Sequence, residues 1–384
     1  MISSLAMLFA LMSGGSDVKP EPVRWFCPQP YTYVQRDEAG VPLPGQDADG
    51  MRDDWLAELT PVASWSGELA KTAVFKSFLN ILPPNPLTGL GQTEPRLTDP
   101  EMTALTGELT RAGLKQAFET GGVRLAGDRV FENAGEGQSA LEIPWLQRWV
   151  NFGGQVDFIT TDHAVTKNWR YQYTETDYPY PMTMDALIAE LADYFEAIRA
   201  VFPQVRLGII EGPAVFQVTT AAGFVFPPND RLIPVVDFAG FLDALLLEMS
   251  SRGLVLDHYH VDHGPHAVRA DAGHTGVDGW EFGRVIAVEQ ICRSRGVRTG
   301  ILIFPGRDFY GPVAGADDAE FSRQASATMI RYLEEYRQAG GQAEDLSAST
   351  WHYYPIRTGP EAESGSAMNI ARELWRRDDE LRGR

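Results

Sequence analysis

The seven histidines of the chain are His163, His258, His260, His263, His266, His274 and His352, and each is read as lying just after a β-strand. Imidazole titrates near neutrality, so it can move protons, bind a metal or hydrogen-bond a polar ligand. Carboxylates accompany it. Glu211 ends the run LGIIEGP, Asp257 lies within LVLDHYHVDHGPH, Asp162 comes two residues after VDFIT, and Asp308 follows GILIF. A carboxylate at the carboxyl end of a strand, with Gly-Pro next, suits general acid/base work. Glu211 and Asp257 belong to successive strands, which would let them face one another across a substrate bond. Asp308 and Asp162 are the other candidates for a second carboxylate. Each is equally compatible with capping a helix or pairing with an arginine.

The densest run holds His258, His260, His263 and His266 with Asp257 and Asp262. His-x-His at a strand end can present two imidazoles to one metal. The competing reading is hydrogen bonding to a polar substrate or to the neighbouring carboxylates, and no metal or cofactor is assigned. Trp169, Tyr171, Tyr173, Tyr178 and Tyr180 crowd one loop, and Trp351, Tyr353 and Tyr354 follow the last strand. Flat rings with polar tips suit the faces of sugars, although such rings also pack loops against a rim. The candidate binding residues are therefore His163, Trp169, Tyr173, His258, Tyr259, His260, Trp351, His352 and Tyr354.

Apolar runs suited to strands begin near Val23, Ala73, Val123, Val156, Leu207, Leu254, Thr299 and Leu346. Most are nearly continuously apolar, as parallel strands covered on both faces are, and the last, LSASTWH, is the most polar. Helical spacing of apolar residues fills 184–202, 237–249, 282–292 and 321–336, with Thr183 and Ser366 placed as N-caps. Gly121–Gly122, Gly153–Gly154, Gly253, Gly296 and Gly340–Gly341 read as helix ends. Connections from helix to strand are short, and those from strand to helix are long. Eight such units predict an α/β fold, a (β/α)8 TIM barrel forming one domain over residues 23–384, with long βα loops that build the site. A doubly wound sheet is disfavoured, because no glycine-rich phosphate motif follows any strand.

The formal charge is −19, from 52 acidic and 33 basic residues in 384. That excess argues against nucleic acid and anionic membranes as partners. Cys27 and Cys292 are too far apart for a metal-spacing motif and read as small buried residues. Residues 1–22 read as a signal-like or disordered leader. The apolar stretch 5–12 has the length of a signal core and is followed by small residues, but it lacks a basic start. It is too short for a transmembrane span. Export, to an extracellular or periplasmic place, follows if it is a signal, and a cytoplasmic location otherwise.

Together these residues resemble the barrel-type glycoside hydrolases. Glu211-Gly212-Pro213 is similar to the Asn-Glu-Pro motif of their large retaining clan, whose Glu is the acid/base. Asp257-His258-Tyr259 and Trp351 are similar to its substrate-contacting His, Tyr and Trp positions. Ile210 stands where the clan has Asn, Glu211 falls on the fifth strand rather than the fourth, and residues 303–309 offer Asp308 where the clan has a Glu nucleophile. A different clan uses Asp, Glu and Asp after strands four, five and seven, matched in kind by Asp162, Glu211 and Asp308. The resemblance implies a glycosidase that cleaves a polysaccharide or glycoconjugate by carboxylate acid/base catalysis. Two alternatives stand beside it: a metal-dependent hydrolase built on His258 and His260, and a non-catalytic barrel that binds glycan.

Overall fold

The computed structural model describes residues 21–28, 55–83, 97–123, 133–166, 183–228, 235–268, 282–309, 317–350 and 354–383. Eight parallel strands close into a barrel: β1 (Val23–Cys27), β2 (Val74–Phe78), β3 (Lys115–Thr120), β4 (Phe158–Asp162), β5 (Arg206–Glu211), β6 (Leu256–Val261), β7 (Arg298–Ile303) and β8 (Asp345–Ser349). Each strand pairs with its neighbours in sequence, and β8 closes on β1 with Val23 opposite Asp345. The helices are α1 (Trp55–Leu59), α2 (Asp99–Arg111), α3 (Ala134–Asn151), α4 (Met184–Val201), α5 (Phe238–Ser251), α6 (Gly283–Ser294), α7 (Asp318–Gln338) and α8 (Ala367–Leu381). The predicted (β/α)8 architecture is therefore observed. A two-residue hairpin, Val218–Thr219 with Val225–Phe226, lies between β5 and α5.

Alternation along the strands divides the core. Phe26, Phe75, Phe118, Ile159, Leu207, Ile209, Tyr259 and Ile301 pack outward against the helices. Trp25, Val74, Ala117 and Phe158 pack together along the axis. Local chemistry sets where the helices start and stop. The Thr183 side chain accepts from Ala186 N, and the Ser366 side chain accepts from Asn369 N, so both predicted N-caps are in place. Gly153, Gly253, Gly296 and Gly340 adopt positive φ where helices end, as expected.

The third strand is a correction. It is KQAFET at Lys115–Thr120, not the run beginning at Val123. A capping box between Thr98 and Glu101 starts α2 early, and Gly113, at φ 71°, ends it. The strand therefore begins before Gly121–Gly122, which lie at its carboxyl end and terminate no helix. Gly122 has φ 61°, and a Cβ there would lie 2.8 Å from the Thr161 side chain, so the chain needs glycine at this turn.

No helix among the described residues is long and apolar enough to cross a membrane.

Candidate functional site

In a barrel of this kind, the positions that face the axis at the carboxyl ends of the strands form the mouth. Lys76 is completely buried, and its Nζ lies 2.6 Å from Oε2 of Glu119 on the next strand. Burial opposes the charge on Lys76, but Glu119 outweighs it and the ammonium is held above its ordinary pKa. Asp162 ends β4 with the parity of Phe158, and His163 follows in a left-handed conformation with φ 54°. The His163 backbone donates to Ile210 O at 2.8 Å, which ties the turn to β5.

The His163 ring bridges two acids. Its Nδ1 is 2.5 Å from Asp162 Oδ1, and its Nε2 is 3.2 Å from Asp262 Oδ2. Burial works against charging the ring. The carboxylates of Asp162, Asp262 and Glu211 together overcome that, and its pKa is pushed up to about 10. His163 is therefore an imidazolium at neutral pH, donating to both sides. Asp262 lies just beyond β6, with its backbone N–H donating to Glu211 O at 3.1 Å. Burial raises its pKa despite the opposing charge of His163. Burial thus pushes Asp262 toward holding a proton while it stands beside the strongly paired Asp162, the direction of division that separates acid from base.

No family model and no curated protein matches the sequence. Solved structures similar to this chain include a GH53 catalytic domain from Ignisphaera aggregans, 11% identical over 93% of this chain and 96% of that one, with a TM-score of 0.45. GH5_18 from Streptomyces cattleya in complex with GlcNAc is 12% identical over 94% and 81%, with a TM-score of 0.47. D-allulose 3-epimerase from Methylomonas sp. is 9% identical over 94% and 99%, with a TM-score of 0.40.

Several expected site residues sit elsewhere. Glu211 has the parity of Leu207 and Ile209, which points it at the helix layer rather than into the mouth. It is fully buried, and its carboxylate accepts from Val165 N at 2.8 Å, Thr166 N at 3.1 Å, Gly212 N at 2.9 Å and the Thr166 hydroxyl. With both oxygens doubly engaged, it has no lone pair directed at a substrate. Asp257 is at the opposite end of the barrel, because β6 runs on to Val261 and makes it the second residue of the strand. It fills an irregularity in the β5–β6 register, accepts from Leu207 N at 2.9 Å, and has Arg199 at 3.9 Å. Asp308 lies on the turn Arg307–Phe309 after β7, with its side chain exposed.

His258 and His260 lie within β6 rather than after it, and both rings are sealed inside the barrel against Trp25. His258 Nε2 is 3.0 Å from Thr160 Oγ1, and His260 Nε2 is 3.2 Å from Asp345 Oδ2. Two glycines make room for them: a Cβ on Gly208 would lie 2.1 Å from the His258 ring, and one on Gly300 would lie 2.4 Å from that of His260. The pair is therefore built into the core instead of being presented to a substrate or metal at the mouth. No group of three His, Cys, Asp or Glu side chains among the described residues is arranged to hold a metal ion. Tyr259 points outward and lies edge-on to Phe238. Tyr354 is buried against Phe321, with its hydroxyl donating to Asp318 at 2.8 Å, so it pins the last loop to α7. Trp169, Tyr173, Trp351 and His352 lie outside the described residues.

Of the named candidates, the structure gathers Asp162 and His163 with Asp262, which the sequence reading placed only within the histidine run. It adds Lys76 and Glu119. A lysine inside the apolar run AVFKSFL was the available signal for Lys76, since a buried lysine needs a partner. Glu119 was hidden because its segment was not recognised as a strand.

Proposed function

We propose that the chain is a glycoside hydrolase working through carboxylates at the barrel mouth, with Asp262 as the proton donor and Glu119 as the second carboxylate. The observation that carries this reading is the pair of charged clusters brought to that mouth: Lys76–Glu119 from β2 and β3, and Asp162–His163–Asp262 from β4 and the end of β6. β2, β3 and β4 are neighbours around the ring and β6 stands three places from β3, so Glu119 and Asp262 come from different parts of the barrel. Glycosidic cleavage needs an acid for the leaving oxygen and a carboxylate for water or the sugar carbon. Asp262, whose pKa burial raises, fits the first role. Glu119, with the Lys76 ammonium as counter-charge, fits the second. Lys76 itself is held charged and does not offer the free amine that a Schiff base requires. The acidic chain favours a neutral or cationic polysaccharide or glycoconjugate over a polyanion.

The test is sugar release from a panel of neutral and amino-substituted glycans. With the best substrate, Asp262→Asn lowers kcat by about 10²–10⁴-fold, the usual worth of general acid catalysis. Turnover at the wild-type rate in that variant removes Asp262 from the mechanism, and binding without release across the panel leaves a glycan-binding barrel.

A further inference from the structure

Resting on the reading of the mouth as catalytic, we propose that Glu211 is a positioning residue, which clamps the turn after β4 and thereby seats the His163 ring between Asp162 and Asp262. Three observations converge. The turn begins at a non-glycine residue with φ 54°, a conformation that must be imposed by its surroundings. Immediately downstream, the backbone N–H groups of Val165 and Thr166 and the Thr166 hydroxyl all donate to one carboxylate, that of Glu211. On the near side, β5 supplies the remaining tethers. Ile210 O accepts from His163 N, and Glu211 O accepts from Asp262 N, so residues 210 and 211 hold both halves of the His163–Asp262 contact.

The clamp is selective for a carboxylate. Every donor around Glu211 is an N–H or O–H directed at its oxygens, and Gly212 N supplies the fourth. Glutamine would turn an NH2 group toward backbone N–H donors and break the bond from Gly212 N, or those from Val165 N and Thr166 N, depending on the oxygen it replaces. The Glu211 charge also faces the ring and supports its positive form, together with Asp162 from β4 and Asp262 from the end of β6. Lys76, from β2, acts on Asp162 and Asp262 from the other wall. The turn is packed closely here, since a Cβ on Gly212 would lie 3.3 Å from Asp262 O and 3.9 Å from the His163 ring.

The experiment follows the His163 ring by proton–carbon NMR titration of the full chain, with its resonance assigned by its disappearance in His163→Gln. No substrate is involved, so failure here is separate from failure of the hydrolase reading. Thr166→Val removes one donor from Glu211 and leaves the carboxylate in place, whereas Thr166→Ser retains the hydroxyl. The expected result is a His163 pKa lowered by roughly half a unit or more in Thr166→Val, as the geometry around the charged ring loosens, and restored in Thr166→Ser. Glu211→Gln lowers it further where the protein folds. A His163 titration in Thr166→Val indistinguishable from wild type overturns the proposal. So does an unmoved His163 in a folded Glu211→Gln, which would reduce Glu211 to a support for the fold alone.

Discussion

The Lys76–Glu119 pair can be tested by removing its members singly and together. Its charges are 2.6 Å apart, with Lys76 fully buried and the Glu119 side chain 11% exposed. At an effective dielectric of about 20, their attraction is about 6 kcal/mol, much of it offset by the cost of taking two ions out of water. Removing one member takes from the other its closest counter-charge, which for a buried pair costs about 3–5 kcal/mol. Lys76→Met and Glu119→Gln should each fall in that range, with the lysine left behind in Glu119→Gln the more deeply buried of the two remaining charges. Lys76→Met with Glu119→Gln removes both charges, so it should cost less than the sum of the single variants by at least about 1 kcal/mol, as expected for contacting residues. Urea unfolding followed by fluorescence and circular dichroism gives the free energies, provided the two transitions coincide and m is unchanged. Single losses below about 1 kcal/mol, or strict additivity in the double variant, would show that the pair is not the coupled buried contact the barrel interior implies.

Two further predictions follow from named contacts. The His163 pKa is raised from an ordinary 6.5 to about 10 in the folded protein, so its stabilisation is complete below pH 6.5 and is lost as pH rises toward 10. The wild type should lose up to about 5 kcal/mol more than His163→Gln across that window, at 1.36 kcal/mol per unit, and parallel profiles for the two proteins would refute the bridge. Gly208→Ala drives a methyl to within 2.1 Å of His258, an overpacking that should cost about 1–3 kcal/mol. A urea midpoint equal to that of the wild type would mean that the His258 ring lies elsewhere.

The fold was legible because its signals are local and repeated. Most of the strands announce themselves as apolar runs, the last, LSASTWH, being the most polar, and helix ends such as Gly253 and Gly296 carry the residue that a left-handed turn requires. The exception is informative. Lys115–Thr120 alternates polar and apolar residues, because Glu119 faces the mouth and Gln116 binds Trp149 in the helix layer. A strand that carries a buried charge on one face and a hydrogen-bond network on the other has little apolar pattern left to read.

The site was less legible for a different reason, which is parity. Residues that are neighbours in sequence at a strand end face opposite layers, so type and position along the chain do not tell an inward carboxylate from an outward one. Glu211 and Asp262 illustrate this. Both are acids at the mouth end of adjacent strands, and Asp262 N donates to Glu211 O. Glu211 shares the outward phase of Leu207 and Ile209, and backbone donors absorb its charge. Asp262 continues the inward phase of His258 and His260 and meets the His163 ring. Counting phase from the apolar residues in LGIIE would have turned Glu211 outward from the sequence alone. Asp257 needed more, because LVLDHYHV does not reveal where the strand stops. Only the pairing of β6 with β5 and β7 shows that it extends to Val261 and leaves Asp257 near the far end. The two acids that a sequence reading weighs most thus lie in the helix-facing phase and at the far end of the barrel, whereas Glu119, Asp162 and Asp262 have the inward phase.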